Sequence, residues 1–152
     1  MIVSARGSVE HLSNKVDGKD GVGWWGGPYL RMLFSRYDLS VGGRLLGADT
    51  DEDKYSYLSW ELSARMGIKF MKGELEAAPF ISYRQDNYDD KYTVFDSSDR
   101  EDKRLSAGLA GTWKFADNWS AEVVYTFTDV DSNSVLYDYD QHLISAAVHY
   151  LF

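Results

Sequence analysis

The segment "HLISAAVHYLF" places Ile144, Ala146, Val148, Tyr150 and Phe152 at every second position. Successive side chains on a β-strand point to opposite faces, so this spacing predicts a strand with one apolar row. Eight such runs follow one another: Ile2 to Ser13, Tyr29 to Arg36, Leu39 to Ala48, Tyr55 to Phe70, Leu75 to Asp86, Lys103 to Phe115, Trp119 to Val130 and Tyr139 to Phe152. No helical period interrupts them. The stretch "VGWWGGPY" before the second run reads equally as strand or loop, and Pro79, which lacks a ladder donor, predicts a bulge. Connections alternate between tight turns ("YD", "MKGE", "ADN") and long polar loops, as in an up-and-down antiparallel meander.

The two phases of these runs differ sharply. One carries Leu58, Trp60, Leu62, Ala64, Met66, Ile68 and Phe70 in the fourth run, and Leu105, Ala107, Leu109, Gly111, Trp113 and Phe115 in the sixth. The other carries the charges, set among Ser, Gly and Ala. Alternation does not say which face is inside. A soluble lipocalin-like ligand-binding barrel would turn the apolar phase inward. Three features favour the reverse. Small residues on the polar phase suit a narrow lumen. Aromatic residues gather near run ends in two groups: Phe70, Trp113, Phe115, Trp119, Tyr150 and Phe152 by the short turns, and Trp60, Tyr83, Tyr125 and Phe127 toward the long loops. Such belts mark the two interfaces of a bilayer, and runs of ten or more residues span ~25–30 Å of hydrocarbon when tilted. The expected fold is therefore a single domain over 1–152, all-β. It is a closed, up-and-down, antiparallel transmembrane barrel of eight strands, with apolar residues outward.

Closure is expected because an open sheet edge in lipid leaves N–H and C=O groups unpaired. Charges inside need partners, and Arg6, Glu10, Arg31, Arg44, Glu61, Arg65, Glu76, Arg84 and Glu122 supply both signs for pairing across the lumen. A lumen filled in this way is a plug rather than a diffusion pore.

The totals narrow the function. A net charge of −8 argues against a nucleic-acid binder, and the absence of Cys excludes disulfides and thiolate metal sites. No stretch approaches the ~20 apolar residues of a transmembrane helix, and no signal peptide is visible after Met1. With these properties the chain resembles the small eight-stranded outer-membrane barrels of Gram-negative bacteria, the OmpA/OmpX kind. The resemblance is architectural over the whole chain and specific in the terminal "VHYLF", similar to the tail read by the outer-membrane insertion machinery through its final Phe152. It implies termini and short turns in the periplasm, acidic loops outside, and lipid and lipopolysaccharide as surroundings.

One local motif carries chemistry. His11-Leu12-Ser13-Asn14 resembles the active-site stretch of outer-membrane phospholipase A and, more loosely, of the lipid A deacylases. That resemblance implies Ser13 as nucleophile and His11 as its base. It covers four residues; Lys15 stands where Gly often follows, and Trp24 and Trp25 occupy the region where an orienting residue belongs. Interfacial polar residues without catalysis are the alternative. His142 shares this ambiguity, whereas His149 points into the lumen. Asp129, Asp131, Asn133 and Asp140 are spaced somewhat like an EF-hand loop but lack its Gly and final Glu. No cofactor is expected, a loop-bound divalent cation being the exception: Asp49, Asp51, Glu52, Asp53, Asp89, Asp90, Asp96, Asp99, Glu101 and Asp102 crowd one rim, where cations would bridge to lipopolysaccharide. The leading expectation is a monomeric outer-membrane barrel with a structural or adhesive role. An outer-leaflet acyl hydrolase and a soluble lipocalin-like barrel are the alternatives.

Overall fold

The structure is a computed structural model and describes residues 1–12, 20–90 and 98–151. Ser13, Asp96 and Phe152 lie outside the described residues. Eight strands are present among those described: β1 (Ile2–Leu12), β2 (Gly21–Leu33), β3 (Tyr37–Thr50), β4 (Tyr57–Phe70), β5 (Leu75–Tyr88), β6 (Glu101–Ala116), β7 (Trp119–Ser132) and β8 (Tyr139–Tyr150). They form one sheet in sequential order, and every ladder is antiparallel. Among the described residues no helix is long and apolar enough to cross a membrane, which leaves strand-based crossing untouched.

Several boundaries differ from expectation. "VGWWGGPY" is strand throughout, because β2 runs thirteen residues from Gly21. The turn after it is Phe34–Arg36, so Tyr37 and Asp38 belong to β3 rather than to the turn. Phe34 stacks on Tyr37 at 4.3 Å, which fixes the reversal with an aromatic pair. Pro79 causes no bulge. The β5–β6 register is continuous through Ala78↔Ala110, Pro79↔Leu109 and Phe80↔Gly108, and the β4–β5 register is the same on either side. A proline facing one neighbour removes a single donor without adding a residue, so the ladder need not slip. The irregularity falls instead between Lys114 and Ala116. At the β4–β5 turn Met71, Lys72 and Gly73 all adopt positive φ, with Gly73 at 99°, where a Cβ would be strained.

The strands slant regularly. A row crossing the sheet runs Ile2, Arg31, Ser40, Arg65, Phe80, Gly108, Thr126, Leu143. It starts at the turn-side end of β1, lies five residues in from the ends of β4 and β5, and finishes seven residues before Tyr150. The climb is about one residue per ladder; ~3.3 Å of rise against a ~4.8 Å strand spacing gives a tilt of about 35°. That is the low end of the ~35–45° range of transmembrane barrels.

Burial inverts the usual order. Only Ala48, Ala78 and Val130 are buried apolar residues among those described, whereas Asp38, Ser40, Ser56, Ser59, Asp86, Arg100, Asp102 and Ser134 are buried polar ones. A flat single-layer sheet would expose both faces alike. Enclosure of one face with no second layer therefore means that the sheet curls with its polar phase concave. Among the described residues the curl is not closed. Ladders join β1 through β8 in seven steps, and none joins β8 to β1 among the described residues, against the expected eighth ladder. Accordingly β8 is exposed along its whole length on both phases.

Candidate functional site

The concave face carries a network of ion pairs. Asp38, at 1 % exposure, receives Arg31 Nη2 at 3.2 Å and has Arg65 Nη1 at 3.8 Å, while Arg65 Nη2 donates to Glu76 at 2.8 Å. These four residues form a chain across β2, β3, β4 and β5. One layer further from the turns, Arg44 Nη2 donates to both Glu61 oxygens at 2.7 Å and its guanidinium lies 5.8 Å from the Trp25 ring. Nearest the loops, Arg84 Nε donates to Asp86 at 2.6 Å, Ser59 Oγ donates to the same carboxylate, and the Arg84 guanidinium lies over Tyr57. A charge leaving water needs such compensation, and each buried carboxylate here receives at least one charged donor.

The pairing is lateral. Every ion pair of the strand wall links one strand to itself or to its neighbour, and none spans the concavity among the described residues. The ion pairs among the described residues run along the wall. Period-two geometry explains this, because directly opposed inner residues on adjacent strands have Cβ atoms ~5 Å apart, within easy reach of Arg and Glu. The side chains of Arg31, Arg44 and Arg65 keep 41 %, 44 % and 39 % of their surface exposed, so the hollow of this sheet is not packed shut. Arg6 lies over Tyr29 at 5.2 Å. Glu10 abuts Gly23, and Glu122 sits between Thr112 and Ala147; neither has an ion-pair partner among the described residues.

Asp38, Asp86 and Asp102, each 1 % exposed, are the residues that sequence reasoning missed as inner-face members. By sequence alone Asp38 reads as part of a turn, Asp86 as a run end and Asp102 as part of the acidic rim. Their shared signal was an Arg near in sequence, seven residues away for Asp38 and two for the others.

The loop end has its own clamp. Arg100, 7 % exposed, donates through Nε and Nη2 to the two Asp102 oxygens and lies between the rings of Tyr88 (4.2 Å) and Tyr137 (3.3 Å). Burial opposes the Arg100 charge. The hydrogen bond to Asp102 and the neighbouring tyrosines outweigh it and hold the pKa above the ordinary arginine value. Ser132 donates to Asp102 at 2.6 Å, and Asn133 reaches the Asp99 carbonyl at 2.8 Å, so the β5–β6 and β7–β8 loops are tied together. Asp49, Asp51, Asp53, Asp89, Asp90 and Asp99 remain exposed around this clamp. No group of three or more His, Cys, Asp or Glu is arranged to hold a metal ion among the described residues. Asp129 and Asp131 stand in β7, opposite Asp140 and Lys103 respectively, in extended strand rather than in an EF-hand-like loop.

The convex face is apolar. Leu62, Met66, Ile81, Leu105, Leu109, Val123, Ile144 and Val148 are exposed along it. Turn-side aromatics form a continuous row, with Trp113–Phe115 at 5.6 Å, Phe115–Trp119 at 6.4 Å and Trp119–Tyr150 at 4.7 Å. Phe70, too, is exposed there. On the loop side Trp60 meets Tyr83 at 5.3 Å, and Tyr125 and Phe127 flank His142. Ten residues separate Trp60 from Phe70 on β4; at a tilt of about 35° that is roughly 27 Å of height.

His11 is exposed on β1, opposite Val22. Its suggested partner Ser13 lies outside the described residues, so the dyad has no described geometry. His142 Nδ1 pairs with the Tyr125 hydroxyl at 2.8 Å, and Nε2 lies 3.9 Å from Asp140. Comparison with protein-family models, with curated proteins and with solved structures returns no match.

Proposed function

We propose that this chain is the wall of a bacterial outer-membrane β-barrel, closed when embedded in lipid, with a structural and adhesive role rather than an enzymatic one. The reading rests on one observation above all. The convex phase is apolar and exposed between two aromatic belts, while the concave phase buries ion pairs. Water-soluble sheets bury their apolar phase, whereas a bilayer solvates it. The ~27 Å belt separation and ~35° tilt suit a hydrocarbon layer. Among the described strand residues, charges on the convex phase occur only beyond the loop-side belt, as at Glu101, Lys103, Asp129, Asp131 and Asp140. On this reading the short turns face the periplasm, and the acidic loop end, where Arg100 clamps Asp102, lies outside, next to lipopolysaccharide.

The test is refolding into phospholipid vesicles carrying bromine on their acyl chains. Trp60, Trp113 and Trp119 fluorescence should be quenched, and folded protein should migrate differently from boiled protein on a gel. A chain that folds in detergent-free buffer and shows no quenching overturns the reading. Release of fatty acid from phospholipid or lipid A, abolished by Ser13→Ala, would overturn the non-enzymatic role.

A further inference from the structure

We infer that the turns on either side of β3 and β4 hold the phosphate of an anionic phospholipid, one acyl chain of which lies in a furrow further along β4. The inference rests on the membrane reading, which sets these turns at the level of the lipid head groups. A groove of about 600 Å³ runs between the β2–β3 and β4–β5 turns, and its walls include Ser35, Arg36, Lys69, Phe70, Met71 and Lys72. The Lys69 backbone N–H donates to the Arg36 carbonyl at 2.8 Å, so the first turn is tied to the end of β4. Three cations line this groove and no acid does.

The protein leaves these cations without counter-charges of their own. Among the described residues none of Arg36, Lys69 and Lys72 makes an ion pair. Glu76 stands opposite Lys69 in the β4–β5 ladder, but it accepts from Arg65 at 2.8 Å. Asp38, two residues from Arg36, serves Arg31 and Arg65. Like charges brought together repel, and an entering anion relieves that repulsion. In a chain of net charge −8, three unpaired cations around one groove therefore point to an anion supplied from outside.

Two features make that anion a lipid. First, Phe70 and Met71 in the groove and Phe34 next to Ser35 are all exposed. A free phosphate gains nothing from apolar neighbours, whereas a phospholipid carries its phosphate directly beside hydrocarbon. Second, Leu39, Ala64, Met66, Pro79, Ile81 and Ala107 form a shallow apolar furrow on the convex face. On β4, Met66 and Ala64 lie four and six residues from Phe70. At the observed tilt those intervals are roughly 11 and 16 Å of depth, about one leaflet of a ~30 Å hydrocarbon layer. Groove and furrow are spaced as the head and chain of one phospholipid are.

The protein would be refolded in micelles of an uncharged detergent and titrated with dioctanoyl phosphatidylglycerol, dioctanoyl phosphatidylcholine or inorganic phosphate. Binding is read from the amide signals of Arg36, Lys72 and Gly73 and the methyl signals of Met66 and Ile81. Phosphatidylglycerol should shift both sets saturably and bind at least tenfold more tightly than the other two probes. Each cation near an anionic head group strengthens attraction about fivefold, so Lys72→Gln should weaken binding about fivefold and Arg36→Gln with Lys69→Gln about 25-fold. Lys114→Gln removes a turn-side cation outside the groove and should change nothing. Equal affinity for phosphatidylcholine would overturn the recognition of charge, and equal affinity for inorganic phosphate would overturn the lipid. An equal loss in Lys114→Gln, or no loss in the groove variants, would overturn the placement. With Trp60 still quenched by brominated lipid, any of these results leaves the membrane reading standing. Loss of the quenching removes that reading, and the lipid site with it.

Discussion

Leu109→Arg separates a lipid-facing wall from a water-facing one. Leu109 lies on the convex phase of β6, opposite Pro79 and Tyr125, and is 49 % exposed. Trp113 of the turn-side belt stands four residues away, and Lys103, the first charged convex residue toward the loops, six. At the observed slant, four residues correspond to roughly 11 Å of height, so Leu109 sits near the middle of a ~27 Å apolar band. A cation at that depth costs about 2–4 kcal/mol in a barrel wall. The same substitution on a surface solvated by water changes stability by less than about 0.5 kcal/mol. Val135→Arg is the matched control, since Val135 is 88 % exposed in the β7–β8 connection and lies beyond the belts. The assay is equilibrium unfolding by guanidinium chloride in vesicles, followed by tryptophan fluorescence, with the midpoint converted through the slope. Leu109→Arg should lower the unfolding free energy by about 2–4 kcal/mol and Val135→Arg by almost nothing. Equal effects of the two substitutions would refute the assignment of the convex face to lipid.

Asp38→Ala removes the acceptor shared by Arg31 and Arg65. Because those guanidiniums keep about 40 % exposure, the loss should be about 1–3 kcal/mol, below that of a fully buried pair; Asp51→Ala, on an exposed loop, should sit within 0.5 kcal/mol of the parent in the same titration. Arg100→Ala strips the charged donor from buried Asp102 and releases Tyr88 and Tyr137, so amide exchange at Tyr88 and Asn133 should quicken markedly while amides in β2 and β3 stay protected. Gly108→Ala would set a Cβ 2.2 Å from the Tyr125 carbonyl and 2.4 Å from the Phe80 ring. Backbone on that side cannot yield, so vesicle refolding should lose about 1–3 kcal/mol, and an unchanged midpoint would contradict the close approach of β6 to β7.

Strand existence and sidedness were legible in the chain because they are local properties. Residues i and i+2 share a face whatever the partner strand, so the apolar rows of β4, β6 and β7 could be read directly, along with their aromatic ends. Boundaries were less legible where local chemistry was ambiguous. Glycines and paired tryptophans in "VGWWGGPY" look like loop until the register of β1 and β3 gives them neighbours. Tyr37 and Asp38 look like a turn until Phe34 stacks on Tyr37 and both pair with β4.

Which charges meet was decided by the tertiary structure alone. Ser59 joins Asp86 across 27 residues, and Arg44 finds Glu61 across 17, through ladders whose registers no single segment encodes. Curvature was likewise collective, since lateral pairing and a half-exposed wall depend on how eight strands share their slant and bend. By itself the sequence determined that this chain alternates, and that one phase is greasy and the other ionic. The assembled sheet decided that the ions lie along the concave wall and that two strand edges remain to be joined, because hydrogen bonds between strands, unlike alternation within one, connect residues far apart in the chain.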